Sequence, residues 1–218
     1  MIMQYIDSKD LTLIGKGANG QVFKYNKPLV PSGLTAVVKV CKGRSIPHNA
    51  VRNHDLLRHA GVRNLAFYEE CRVDGKAAIL MEDLFNDKWV YVSPNSVRNG
   101  YGDNLPEAYL LQHKLNDINN MDSLLLQMRD LAFCTNGNGI GLDMDMVSFG
   151  VQRGNKDSEV YYKLVDIDVM LQDDSCRYKL YDSNVIAAKE ALTLFIQHFV
   201  ETGDVKKSLL QHVEEFGW

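Results

Sequence analysis

The run Gly15-Lys16-Gly17-Ala18-Asn19-Gly20-Gln21-Val22, followed by Lys39 inside Ala36-Val37-Val38-Lys39-Val40, constrains this chain more than any other feature. Leu11, Leu13, Val22 and Phe23 flank the glycines in a pattern suited to the two strands of a hairpin. Glycine reaches positive φ and lets the backbone approach a ligand with no Cβ in the way. Amide N–H groups in such a turn can then point at phosphate oxygens. Lys39 stands in an apolar, β-rich run. There a lysine is either an edge residue snorkelling to water or a charge aimed into a cleft at an anion. A Walker-type loop does not fit, because no Gly-Lys-Ser/Thr closes the glycine run. A dinucleotide-binding βαβ unit fits poorly, because the segment after Gly20 reads as a strand and not a helix. The plain alternative is a surface hairpin with a solvated lysine.

The compound pattern G-x-G-x-x-G-x-V followed by a strand lysine resembles that of protein kinases. The brevity of the chain makes it similar to the minimal kinases that bacteria deliver as type III secretion effectors. The resemblance runs from about residue 11 to about residue 170. It implies an α+β, bilobal fold in one domain spanning 1–218. A small antiparallel N-lobe sheet would occupy about 1–84, a hinge about 82–86, and a truncated helical C-lobe about 87–218. It also implies that Gly15, Gly17, Gly20, Val22 and Lys39 hold ATP. Ile79-Leu80-Met81-Glu82-Asp83-Leu84 resembles the hinge, with Met81 as gatekeeper and main-chain groups of Glu82 and Leu84 receiving the adenine edge.

Residues 141–151, GLDMDMVSFGV, stand where kinases carry H-R-D-x-x-x-x-N. Asp143 falls on the catalytic aspartate, which orients the attacking hydroxyl. Ser148 falls on the metal-binding asparagine, and Gly141-Leu142 replaces His-Arg. Asp145 is the alternative catalytic residue, and both aspartates also suit an ordinary turn. Tyr161-Tyr162-Lys163-Leu164-Val165-Asp166-Ile167-Asp168 matches a strand entering D-F-G, which puts Asp166 on Mg²⁺ and Asp168 beside it as a second acid. On the helix expected after Ile46, Asn53 takes the place of the glutamate that pairs with the strand lysine in kinases. It could accept a hydrogen bond from Lys39, or stand as a polar surface residue.

The chain of 218 residues is long enough for a substantial core, and its 45% hydrophobic and 24% charged residues suit a globular protein. A net charge of −4 without a basic block argues against nucleic acid or an anionic membrane as partner. No apolar run reaches membrane-spanning length, and no secretory leader pattern opens the chain. Cys41, Cys71, Cys134 and Cys176 are scattered and read as free thiols. Six histidines without a metalloprotease motif or cysteine partners give little support for zinc.

The pattern predicts strands at 10–15, 20–25 and 35–41, a helix from Pro47 to about His59, and a hairpin around Asp74-Gly75. It predicts a long connection over 86–106, helices over 107–118, 121–134, 183–200 (capped by Ser183) and 204–216, and a second hairpin around 153–157. The resemblance implies a monomeric Ser/Thr-type kinase using ATP and Mg²⁺. It would be secreted by a type III system into host cytoplasm, act on a host protein such as a heat-shock chaperone, and need no activation-loop phosphorylation. A pseudokinase acting as a binding module and a small-molecule phosphotransferase of the aminoglycoside type are the competing expectations.

Overall fold

Three successive apolar segments build the first meander of the computed structural model, which describes residues 4–16, 20–27, 35–43, 45–62, 64–66, 68–100, 105–165, 167 and 177–218. β2 (Leu11–Lys16), β3 (Gly20–Tyr25) and β4 (Ala36–Cys41) pair antiparallel in that order, with a register shift between Leu13 and Gly15. α1 (Ile46–His59) follows, with Pro47 in its first turn, where a missing N–H costs nothing. β5 (Tyr68–Val73) and β6 (Lys76–Glu82) form the expected hairpin, with φ of 48° at Asp74 and 80° at Gly75. β6 lies beside β4, and β1 (Gln4–Ile6) adds to the free edge of β5 in parallel. The six-stranded sheet therefore has the order β1-β5-β6-β4-β3-β2 and is antiparallel except at that edge. Three residues are too short for a periodicity, which is why β1 escapes a reading of the sequence.

The two faces of this sheet do different work. Ala36, Val38, Ala78 and Leu80 bury one face in a small cluster with Ile6, Cys71 and Val73. Ile79, with Cys41 and Met81 against it, joins the other face to the main core, which includes Ala50 and Leu57 of α1. Directly paired residues point to the same side. Lys39, opposite Ile79 and Val22, therefore emerges toward the main core.

Beyond β6 the chain is mainly helical, with a three-stranded sheet at its near end. The stretch 86–106, expected as a plain connection, contains β7 (Trp89–Val92) and the short α2 (Pro94–Arg98). β7 was hidden among the Asn, Ser and Pro residues around it, and it forms because β9 (Val147–Gln152) offers a partner. β11 (Val160–Leu164) pairs with the other side of β9, giving the order β11-β9-β7. α3 (Leu105–Gln112) ends six residues earlier than expected, because Asp117–Ile118 leaves the helix to form β8 with β10 (Asp157–Ser158). α4 (Met121–Gly137), α5 (Arg177–Phe199) and α6 (Asp204–Glu215) complete the order. α5 begins before Ser183, which therefore lies inside the helix and not at its cap. Leu124, Leu125, Met128, Leu131 and Ala132 pack against Ala188, Leu192 and Phe195 as the centre of the core. The chain is thus α+β, a sheet-rich part followed by a helical part. Among the described residues no helix is long and apolar enough to cross a membrane.

Candidate functional site

The glycine hairpin, the end of β6 and the start of α3 converge on a cavity of about 490 Å³. Its apolar wall is made by Ile14, Val22 and Val37 from the three meander strands, with Phe85 and Pro106 also lining it. Asp83 and Glu107 supply carboxylates, and Gly15 and Lys24 complete the lining. Val37 lies two residues before Lys39 on the same strand and so shares its face.

The expected glycines play different parts. A side chain at Gly15 would enter open space, so packing does not demand glycine there. A Cβ at Gly20 would run into the carbonyl oxygen of Val40, so the close approach of β3 and β4 requires glycine at that position. Gly17, Asp166 and Asp168 lie outside the described residues. Cys41, Cys71 and Cys134 form no disulfide, and burial pushes the Cys71 thiol up to about 12, while Cys176 lies outside the described residues.

The hinge segment lies at the cavity in part. Asp83 and Phe85 line the cavity, and Met81, Glu82 and Leu84 do not appear in its lining. Met81 sits opposite Val37 and Tyr68 in the sheet. The Leu84 carbonyl accepts the Tyr91 N–H at 2.9 Å. The Phe85 N–H is donated to the Asp83 carboxylate at 3.0 Å, and the Asp83 N–H to the Thr35 carbonyl at 3.1 Å. The Glu82 carboxylate forms an ion pair with Lys163 of β11, tying the six-stranded sheet to the three-stranded one. The Lys163 ammonium also stands 5.2 Å above the Tyr91 ring. Burial, then the neighbouring Glu82 charge, push the Tyr91 phenol up to about 12. Tyr91 lies flat over Gly150, where any side chain would occupy the ring's place.

Asp143 is exposed and caps the 3-10 turn Met144–Met146, accepting the Asp145 N–H at 3.1 Å. Asp145 is exposed as well, and its carboxylate accepts the amide of the largely buried Asn95. Ser148 is buried on β9 directly opposite Lys163. A lysine ammonium on the same face opposes a cation at that hydroxyl. By contrast, the Val165 N–H is donated to the Met146 carbonyl at 2.7 Å, so the turn carrying Asp145 adjoins the strand exit that leads to residue 166. Among the described residues there is no group of three or more His, Cys, Asp or Glu side chains arranged to hold a metal ion.

Asn184 organises the loop from the helical side. It is fully buried in α5, accepts the Leu142 N–H at 2.7 Å, and donates to the Ile140 carbonyl and the Thr135 hydroxyl, both at 2.9 Å. Its sequence signal was present but silent. Asn184 falls on the stripe that continues through Ala188, Ala191 and Phe195, where a polar side chain demands partners. Glu107 had no such signal. It is 5% exposed at the cavity wall and accepts the Ser93 N–H at 3.1 Å. Desolvation raises its carboxyl above the ordinary value of 4.5, against the opposing pull of backbone hydrogen bonds.

No protein-family model matches this chain, and no curated protein matches it either.

Proposed function

We propose that the chain is an ATP-dependent Ser/Thr-type protein kinase of minimal size. The observation that carries the reading is the 490 Å³ cavity, apolar along Ile14, Val22 and Val37 and set beside the strand that bears Lys39. A glycine hairpin, a lysine on the next strand and a helix directly after it form the order that kinases use to cover and grip nucleotide phosphates. In this reading Gly15, Gly17 and Gly20 cover the phosphates, and Lys39 meets them with its charge. Asp143 orients the acceptor hydroxyl. Mg²⁺ would be held by Asp166, with Asp168 beside it as a second acid, and would supply charge neutralisation at the phosphates. Phosphoryl transfer rests on positioning and charge stabilisation, so one placed carboxylate and one ammonium account for most of what the protein must supply. A host protein acceptor, a heat-shock chaperone among them, delivery by a bacterial type III system and a monomeric state belong to the same proposal.

A nucleotide-binding pseudokinase is the second reading. It is favoured by Lys163 facing Ser148. Incubation with γ-labelled ATP and Mg²⁺, in the presence of a eukaryotic cell lysate or of small alcohols and aminoglycosides, separates the possibilities. Label on a protein band that disappears with Lys39→Ala supports the kinase. Label on a small molecule supports a small-molecule phosphotransferase. Nucleotide binding without transfer supports the pseudokinase, and absence of any Mg²⁺-dependent nucleotide binding overturns all three.

A further inference from the structure

Phe85 is the aromatic member of the cavity lining among the described residues, and it stands on the loop just past the end of β6. An aromatic ring on a loop swings about χ1 unless its neighbours hold it, and a swinging ring makes a poor wall. Two groups from elsewhere in the chain meet this ring. The guanidinium of Arg153 stands 4.5 Å from its centroid. The Tyr109 ring of α3 packs against it edge to face, with centroids 6.1 Å apart and an interplanar angle of 68°. The same guanidinium stands 4.6 Å from the Tyr109 centroid, so one planar cation serves both rings.

Arg153 is itself fixed. It follows β9 directly, in the turn before β10, beside Gly154 with its φ of 78°. Its Nε donates to the Asn86 carbonyl at 3.1 Å, and its backbone N–H to the Lys88 carbonyl at 2.9 Å. Arg153 therefore grips the loop at Phe85, Asn86 and Lys88 by a ring contact, a side-chain bond and a backbone bond. Tyr109 is braced within α3 and just beyond it, where the His113 ring stacks on it at 4.4 Å and 18°. On the sequence Arg153 is only a turn residue of the second hairpin, and the ring it holds lies 68 residues earlier.

We propose that Arg153 is a positioning residue for the cavity, setting the Phe85 ring as a wall against which the flat base of the nucleotide lies. This inference rests on the nucleotide-site reading above. It adds to that site a residue from the β9–β10 turn, outside the glycine hairpin and the strand that follows it. The role needs a planar cation. A lysine at this position keeps the charge but has neither the flat face nor the Nε–H that meets Asn86. A ring left free to turn has to be ordered each time a ligand binds, and ordering one such side chain weakens binding about three- to tenfold.

The test is the dissociation constant of Mg·ATP for the full chain, measured by isothermal titration calorimetry at a temperature where circular dichroism shows each variant folded. Under that condition a loss of stability alone leaves the constant unchanged, because the binding-competent fraction stays near one. Arg153→Ala and Arg153→Lys should each raise the constant at least about threefold. Tyr109→Leu, which removes the second ring beside the guanidinium, carries the same expectation and replaces the alanine variant if that variant does not fold. An alanine variant within about threefold of the parent overturns the inference while leaving the nucleotide site standing. A lysine variant that binds as tightly as the parent assigns the effect to charge alone and overturns it as well. A parent chain that binds no Mg·ATP overturns the nucleotide site, and the inference with it.

Discussion

Replacing Asn184 with alanine strikes the joint between α5 and the loop that carries Asp143. Three hydrogen bonds are lost, to the Leu142 N–H, the Ile140 carbonyl and the Thr135 hydroxyl. Each contributes about 1 kcal/mol net when its partners can find water on unfolding, so the set amounts to about 3 kcal/mol. The Leu142 N–H is the worst affected, because Leu142 is 8% exposed and its donor has no replacement from the vacated site. Thr135 fares better, since its hydroxyl still donates to the Leu131 carbonyl at 2.8 Å. For a chain of this length a loss of that size lowers Tm by about 6–12 °C. Urea unfolding followed by far-UV circular dichroism should show a lower midpoint with an unchanged slope. Asn184→Asp keeps the acceptor for Leu142 but buries a carboxylate facing the Ile140 carbonyl. It should therefore be worse than alanine at neutral pH and recover as acid protonates it. A loss below about 1 kcal/mol for Asn184→Ala, the range of an ordinary surface change, would refute the assignment of a structural joint here.

Gly150→Ala should cost about 1–3 kcal/mol, because its Cβ takes the place of the Tyr91 ring and with it the seat of Lys163. In a Tyr91→Ala background the same substitution should be nearly neutral, and equal losses in both backgrounds in urea unfolding would refute the contact. Glu107→Gln should raise Tm at neutral pH. Burial raises the folded carboxyl's pKa above 4.5, so the contribution favouring the folded state is present below that pH and is lost as pH rises through the folded value. The difference in Tm between variant and parent should shrink toward zero below pH 4.5, and a pH-independent difference would refute burial as the cause. If Asp143 orients the acceptor, Asp143→Asn should lower phosphoryl transfer about a hundredfold or more with nucleotide binding unchanged, and Asp145→Asn should be milder. The reverse ranking in single-turnover assays would move the catalytic role two residues along the turn.

Local rules determined much of this protein. The glycine run, the Asp74-Gly75 turn and the apolar periods of α1, α4 and α6 are each decided by residues within a few positions of one another. The Asp74-Gly75 turn and these helices form where the sequence predicts them, as do the meander strands and the hairpin of β9 and β11. Gly15 and Val22, which the sequence singles out, line the cavity from those strands, while Gly20 and Lys39 are not among its lining residues. The rest depended on partners distant in the chain. β7 exists because β9 is beside it, Glu82 turns from the cavity to Lys163 across 81 residues, and Glu107 reaches the wall because α3 docks there. Asn53 and Asn184 show the same limit more sharply. Each sits on an apolar stripe where the sequence says that a polar group must be bonded, yet the acceptor or donor lies 114 residues away for one and 42 for the other. A hydrogen bond depends on the position of two groups in space. Helical and strand periods fix the side on which a group emerges, and only the packed tertiary structure decides what it meets there.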